Sequence, residues 1–115
     1  ALPLLAEYAT QKQEHFICVS LNSTGQVIKT TVITIGLVNQ SQIHARELFA
    51  QAITDRATSI IIAHNHPSGD LKPSLEDLHV TSSLLKAADI LGIQILDHII
   101  FGETGYYSFL ENGQL

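Results

Sequence analysis

Ile60-Ile61-Ile62-Ala63 is an apolar run without alternation, cut off at once by the polar stretch His64-Asn65-His66-Pro67-Ser68-Gly69-Asp70. Such a run fits a strand buried on both faces of a sheet. Both faces then need cover, and amphipathic helices are the usual means. The flanking sequence offers them. Ala45, Leu48, Phe49, Ala52 and Ile53 fall on one face at helical spacing, with Arg46, Glu47 and Asp55 away from it. Leu75 to Leu91 reads as a longer helix carrying Leu78, Leu85, Ala88 and Leu91, closed by Gly92 as the residue after its last turn. Residues 2–12 read as a short helix with Leu4, Leu5 and Tyr8 on one side.

The remaining segments read as strands. His15 to Leu21 and Val27 to Ile35 are rich in β-branched residues and are joined by Asn22-Ser23-Thr24-Gly25, which predicts a hairpin. Ile93 to Phe101 is a further apolar strand, interrupted by Asp97-His98, and Tyr106 to Leu110 a last short one after the turn from Gly102 to Gly105. The order is helix, two strands, helix, strand, helix, two strands. This predicts an α/β fold with a mixed β-sheet flanked by helices: antiparallel in the hairpin, parallel where helices separate the strands.

At 115 residues, one domain over 1–115 is expected, and 45% hydrophobic against 15% charged residues is a globular balance. The net charge is −5 and the basic residues Lys12, Lys29, Arg46, Arg56, Lys72 and Lys86 are scattered. Nucleic-acid binders cluster theirs against phosphates, so this domain alone is not expected to bind nucleic acid. Cys18 is the single cysteine, which excludes an internal disulfide, and its apolar strand reads as a buried setting. No apolar run reaches the ~18 residues of a membrane span, and the start lacks the pattern of a signal peptide. A cytoplasmic location is expected. With Ala1 first and no Met anywhere, the chain is expected to be part of a longer protein.

His64 and His66 are two apart at the end of the buried strand, so their side chains share a face and two imidazoles can converge. Binding crevices form at that edge of an α/β sheet. Asp77 stands eleven residues after His66, in the first turn of the next helix. Two histidines and an aspartate make three ligands with a fourth position open, the arrangement of a catalytic rather than a structural zinc. A cation there would also offset Asp70, Glu76 and Asp77. A plainer reading stands beside this one. Strand histidines often serve as scaffold, and Ser74-Leu75-Glu76-Asp77 has the form of a helix start, with Ser74 as N-cap and acids favoured by the helix dipole. His98 reads either as a partner orienting a ligand or as a core histidine. His15, His44 and His79 have no ligating spacing. Tyr106 and Tyr107 suit an edge strand.

The run from His64 to Gly69 with Ser74 and Asp77 resembles the JAMM, or MPN, metalloprotease motif: His-x-His, ten residues, Asp, with Ser three before the Asp. The version here is most similar to the RadC family of prokaryotic proteins. His44-Ala45-Arg46-Glu47-Leu48-Phe49, Leu91-Gly92-Ile93, Leu96-Asp97-His98-Ile99-Ile100 and Tyr106-Tyr107-Ser108 extend the resemblance over about Glu14 to Gly113. It implies a JAMM/MPN-like three-layer architecture, related to that of cytidine deaminases, and a zinc ion on His64, His66 and Asp77. It implies Glu14, ahead of the first strand, as general acid/base, with Glu7 as the rival if the strand register differs. It implies Ser74 as support for the oxyanion of a tetrahedral intermediate. The function implied is a zinc metallopeptidase or isopeptidase that acts on a peptide or protein.

Two other functions follow from the same resemblance. One is a non-catalytic interaction module, since many MPN proteins have lost ligands; this chain keeps all three and a candidate base. The other is an association with DNA repair, as the RadC label suggests. Longer members carry a helix-hairpin-helix segment that could contact DNA, and no counterpart is read here. A zinc deaminase would need His-x-Glu and Pro-Cys-x-x-Cys, which one cysteine cannot provide. An iron oxygenase uses the same ligand types, and only the motif resemblance separates it.

Overall fold

A computed structural model describes Leu5 and residues 14–35, 41–66 and 69–115. Among these residues, five strands and two helices follow one another as β1 (His15–Leu21), β2 (Val27–Ile35), α1 (Ser41–Thr54), β3 (Ser59–Asn65), α2 (Leu75–Leu91), β4 (Gln94–Gly102) and β5 (Gly105–Ser108). The strands form one mixed sheet in the order β2-β1-β3-β4-β5. The helix expected over residues 2–12 lies outside the described residues except for Leu5, which is helical and buried.

The hairpin is antiparallel, as the turn cluster predicts. Asn22 Oδ1 accepts from the backbone N–H groups of Thr24 and Gln26 at 3.0 and 2.9 Å, an Asx-type closure of the turn. β3 and β4 are parallel and linked through α2. β1 lies between β2 and β3 and runs antiparallel to both, which makes β3 the central strand its unalternating apolar run implies.

Alternation then sorts the side chains onto two faces. Phe16, Cys18, Ile60, Ile62 and Ile95 meet Leu48, Phe49 and Ala52 of α1 and Val80, Leu84 and Ala88 of α2. Ile17, Val19, Leu21, Ala63, Ile99 and Phe101 form the opposite face, where Leu5 packs. Both described helices thus lie on one side of the sheet, and Leu5 packs on the other.

One irregularity matters for the site. Ile60 pairs with Ile95, but Ile61 pairs with Asp97, so Leu96 is an extra residue on β4. A bulge of one residue exchanges the faces of everything after it. Ile62 therefore pairs with His98, and His98 faces the helices, on the side of the sheet that carries His64. In regular register Ala63 would pair with His98 and the imidazole would point to the other face.

α2 begins and ends as its sequence directs. Ser74 is the N-cap in extended conformation, and Gly92 adopts the left-handed conformation at φ 73°, sending the chain into β4. The last strand is shorter than expected, ending at Ser108 rather than Leu110. Its pairing stops because Asp97 captures the chain: Oδ2 accepts from the Ser108 hydroxyl at 2.5 Å and Oδ1 from the Leu110 N–H at 3.0 Å.

Candidate metal centre

β3 delivers His64 near its end, His66 follows one residue beyond the strand, and α2 delivers Asp77 in its first turn. The three side chains meet. His64 Nε2 lies 3.1 Å from Asp77 Oδ1, His66 Nε2 3.2 Å from Asp77 Oδ2, and the two Nε2 atoms 3.1 Å apart. His64 is buried, and His66 and Asp77 are partly exposed, so the cluster is open on one side. These are the three residues whose spacing suggested a ligand set, and among the described residues they form the group of His, Cys, Asp or Glu that could hold a metal ion.

The spacing of these atoms fits a cation. Zinc–nitrogen and zinc–oxygen bonds of about 2.0–2.1 Å in a tetrahedron place neighbouring ligand atoms about 3.3 Å apart. The chemistry of the donors fits as well. His66 Nδ1 is 2.7 Å from the Asp70 carbonyl oxygen, which can only accept, so that nitrogen carries the proton. In neutral His66 the lone pair is then on Nε2, toward the cluster. Gly69 makes this contact possible. Its φ of 84° turns the chain back after His66, and its N–H donates to the His66 carbonyl at 2.9 Å.

Asp77 answers both readings of its position at once. Its N–H donates to Ser74 Oγ at 3.1 Å, and its Oδ2 accepts from the Ser74 N–H at 2.7 Å, a complete capping box. The same carboxylate faces both imidazoles. Burial would raise its pKa, but the hydrogen bonds and charges of His64 and His66, helped by the Ser74 N–H, hold it well below the carboxylate range. This favours the anionic carboxylate, the form that can bind a cation. His66 is pushed the other way, chiefly by its hydrogen bond to Asp77 against the opposing effect of burial.

Glu14 stands just ahead of β1, partly buried. Burial raises its pKa, while the imidazoles of His64 and His66 pull it down and Asp77 and Glu76 push it up, so Glu14 senses the whole cluster. Ser74 sits at the mouth of α2, exposed, with its hydroxyl accepting from Asp77 N–H. Phe16, opposite His64 on β1, stacks on its ring at 5.9 Å and 17°. Asn65 points to the far side of β3 and holds the start of β1, its Oδ1 accepting from His15 N–H at 2.5 Å.

His98 is the core histidine the sequence allowed, and it touches His64. It is fully buried, and its Nε2 is 2.9 Å from His64 Nδ1. Burial, and then the neighbouring His64, drive its pKa well below the histidine range. Sequence reasoning missed Thr81, whose Oγ1 is 2.5 Å from His98 Nδ1. Its signal was available: Thr81 lies four residues after Asp77, hence on the same helix face. Phe109, also missed, stacks on His98 at 4.4 Å and 11°. Of the other histidines, His79 is exposed on α2, His15 is buried on β1, and the side chain of His44 lies outside the described residues. Cys18 is buried as expected.

Known proteins resemble this chain over nearly all its length. A family model described as RadC-like JAB domain matches residues 2–114. A UPF0758 protein of Methanospirillum hungatei is 52% identical over 111 residues, covering 96% of this chain and 49% of the relative. A UPF0758 protein of Chlorobium phaeovibrioides is 48% identical over 105 residues, covering 91% of this chain and 47% of the relative. One of Bacillus licheniformis is 46% identical over 112 residues, covering 97% and 50%. The chain thus spans about half the length of the curated relatives it matches.

Proposed function

The chain belongs to the RadC-like JAB domain family, and on that premise we propose that it is a zinc-dependent hydrolase that cleaves an amide bond in a peptide or protein. The observation that carries this reading is the triangle of His64 Nε2, His66 Nε2 and Asp77 carboxylate at 3.1–3.2 Å, open on one side, with a partly buried carboxyl group in its field.

His64, His66 and Asp77 would hold the ion. Bound there, zinc would lower the pKa of a water toward about 7 and polarise a substrate carbonyl. Glu14 is the proton carrier of the reading. Its pKa, raised by burial, brings it nearer the value at which one carboxyl can take a proton and return it to a departing amine. Ser74 is the candidate donor to a developing oxyanion, since its hydroxyl proton is not used in accepting from Asp77 N–H. Phe16 and buried Asn65 fix the strand end from which the imidazoles leave. The reading sets the domain in the cytoplasm, with no nucleic acid as substrate; among the described residues no helix is long and apolar enough to cross a membrane.

Metal analysis of the purified domain should give about one zinc per chain, lost in His64→Ala. Glu14→Gln should keep the zinc and lose hydrolysis of a peptide library. Undiminished cleavage by Glu14→Gln would remove Glu14 from the mechanism. A zinc-loaded wild type that cleaves nothing in the library would favour the interaction module.

A further inference from the structure

Thr81 and His98 form a buried path from the backbone of α2 to the back of His64. Both are at least nine-tenths buried. The Thr81 hydroxyl donates its single proton to the Asp77 carbonyl oxygen at 2.9 Å. Toward His98 Nδ1, 2.5 Å away, Thr81 Oγ1 can then only accept, which places a proton on His98 Nδ1. His98 lies on apolar ground, with Phe109 stacked on one side and Phe16 edge-on at 6.4 Å, a setting for a neutral ring. A neutral imidazole with Nδ1 protonated has a bare Nε2. That nitrogen accepts from His64 Nδ1–H at 2.9 Å. In neutral His64 the lone pair then falls on Nε2, the atom that faces His66 and Asp77.

We infer that Thr81 and His98 are positioning residues, which fix the direction of one hydrogen-bond chain so that His64 presents a bare Nε2 to a divalent cation. This rests on the metal reading above. The device differs from the Asp70 carbonyl behind His66, where a backbone acceptor does the same work directly. A strand neighbour of His64 has no backbone oxygen to offer on that face, and an imidazole in its place transmits a preference set one helix away. The bulge at Leu96 is what brings His98 to this face.

The test uses the domain labelled with 15N-histidine. Long-range 1H–15N spectra of zinc-free and zinc-loaded wild type should show His98 protonated on Nδ1 and bare on Nε2 in both states. Zinc affinity, measured by competition with a chromophoric chelator, should fall 10–100-fold in Thr81→Val and His98→Leu. Thr81→Ser and His98→Gln, which keep an oxygen acceptor in place, should recover it to within about threefold. His98 protonated on Nε2 in the wild type would overturn the inference, as would unchanged zinc affinity in a folded Thr81→Val. Should the wild type take up no zinc, the metal reading fails, while the tautomer spectrum of the zinc-free protein still decides the direction of the chain. Should it take up zinc without hydrolysing peptides, the affinity series still decides the positioning role.

Discussion

Glu14 and Ser74 carry stability signatures that separate a working residue from a scaffold residue. Burial raises the pKa of Glu14, so its charged form is disfavoured in the folded state. A carboxyl of this kind supports folding fully only below its unfolded pKa of about 4.3, and that support is lost as pH rises through the folded value. At pH 7, zinc-free Glu14→Gln should therefore melt at or above the wild-type temperature; a drop of several degrees would mark the carboxylate as an anchor instead. Ser74→Ala should cost about 1 kcal/mol in urea unfolding, the worth of a lost N-cap, and leave zinc stoichiometry at one. Cys18 gives a pH prediction. Burial pushes its thiol up to about 11, with Ser20 pulling slightly down and Asp55 up. Native protein at pH 8 should react with a thiol reagent at least ~10-fold more slowly than unfolded protein. Because the folded pKa exceeds the unfolded value of about 8.5, stability should decline as pH rises between them, which urea melts in alkaline buffers would register.

At the scale of elements, much of the fold was legible. β1 and β2 begin and end where β-branched content and the Asn22–Gly25 turn place them, and α2 spans Leu75–Leu91 between its Ser74 cap and Gly92. These ends are set by local chemistry, which a sequence carries openly. Gly92→Ala should cost about 1 kcal/mol, since a side chain is strained at φ 73°, and thermal melts would detect it. Leu84 of α2, fully buried against the sheet, should cost 2–5 kcal/mol as Leu84→Ala. What was not legible is long-range. Alternation states which side of a strand is wet, but not that β1 would enter between β2 and β3. The pair Asp97-His98 read as an interruption of a strand. It is a strand with an extra residue, and only the pairing with Ile60 and Ile61 reveals it. The cluster of His64, His66 and Asp77 could be read because His64 stands near the end of a strand, His66 follows it two residues on, and Asp77 opens a helix. Thr81 shares the helix face of Asp77 through local spacing, but its contact with His98, and that of Phe109, are long-range and no spacing encodes them.

Taken whole, the molecule gathers its candidate chemistry where separate elements end. β3 stops at Asn65, α2 starts at Leu75, and β4 reaches the same region through His98. A cation held by His64, His66 and Asp77 would join the first two directly and the third through a hydrogen bond. Binding to the folded state alone stabilises it, by about 4 kcal/mol when free ligand is ~1,000 times its dissociation constant. Zinc at that excess should raise the melting temperature by roughly 10–20 °C, and the rise should vanish in His66→Ala. A chelator should return the wild type to the His66→Ala value, as differential scanning calorimetry would record.

The double employment of Asp77 has an outcome for lineages as well as for molecules. A relative that bound no cation would still have a use for a carboxylate there, because it accepts the Ser74 N–H at the helix start. Aspartate at that point is thus a poor witness of retained chemistry. His66, whose ring closes no turn of helix and fills no core, is the residue whose replacement would tell a silent cousin from a working one.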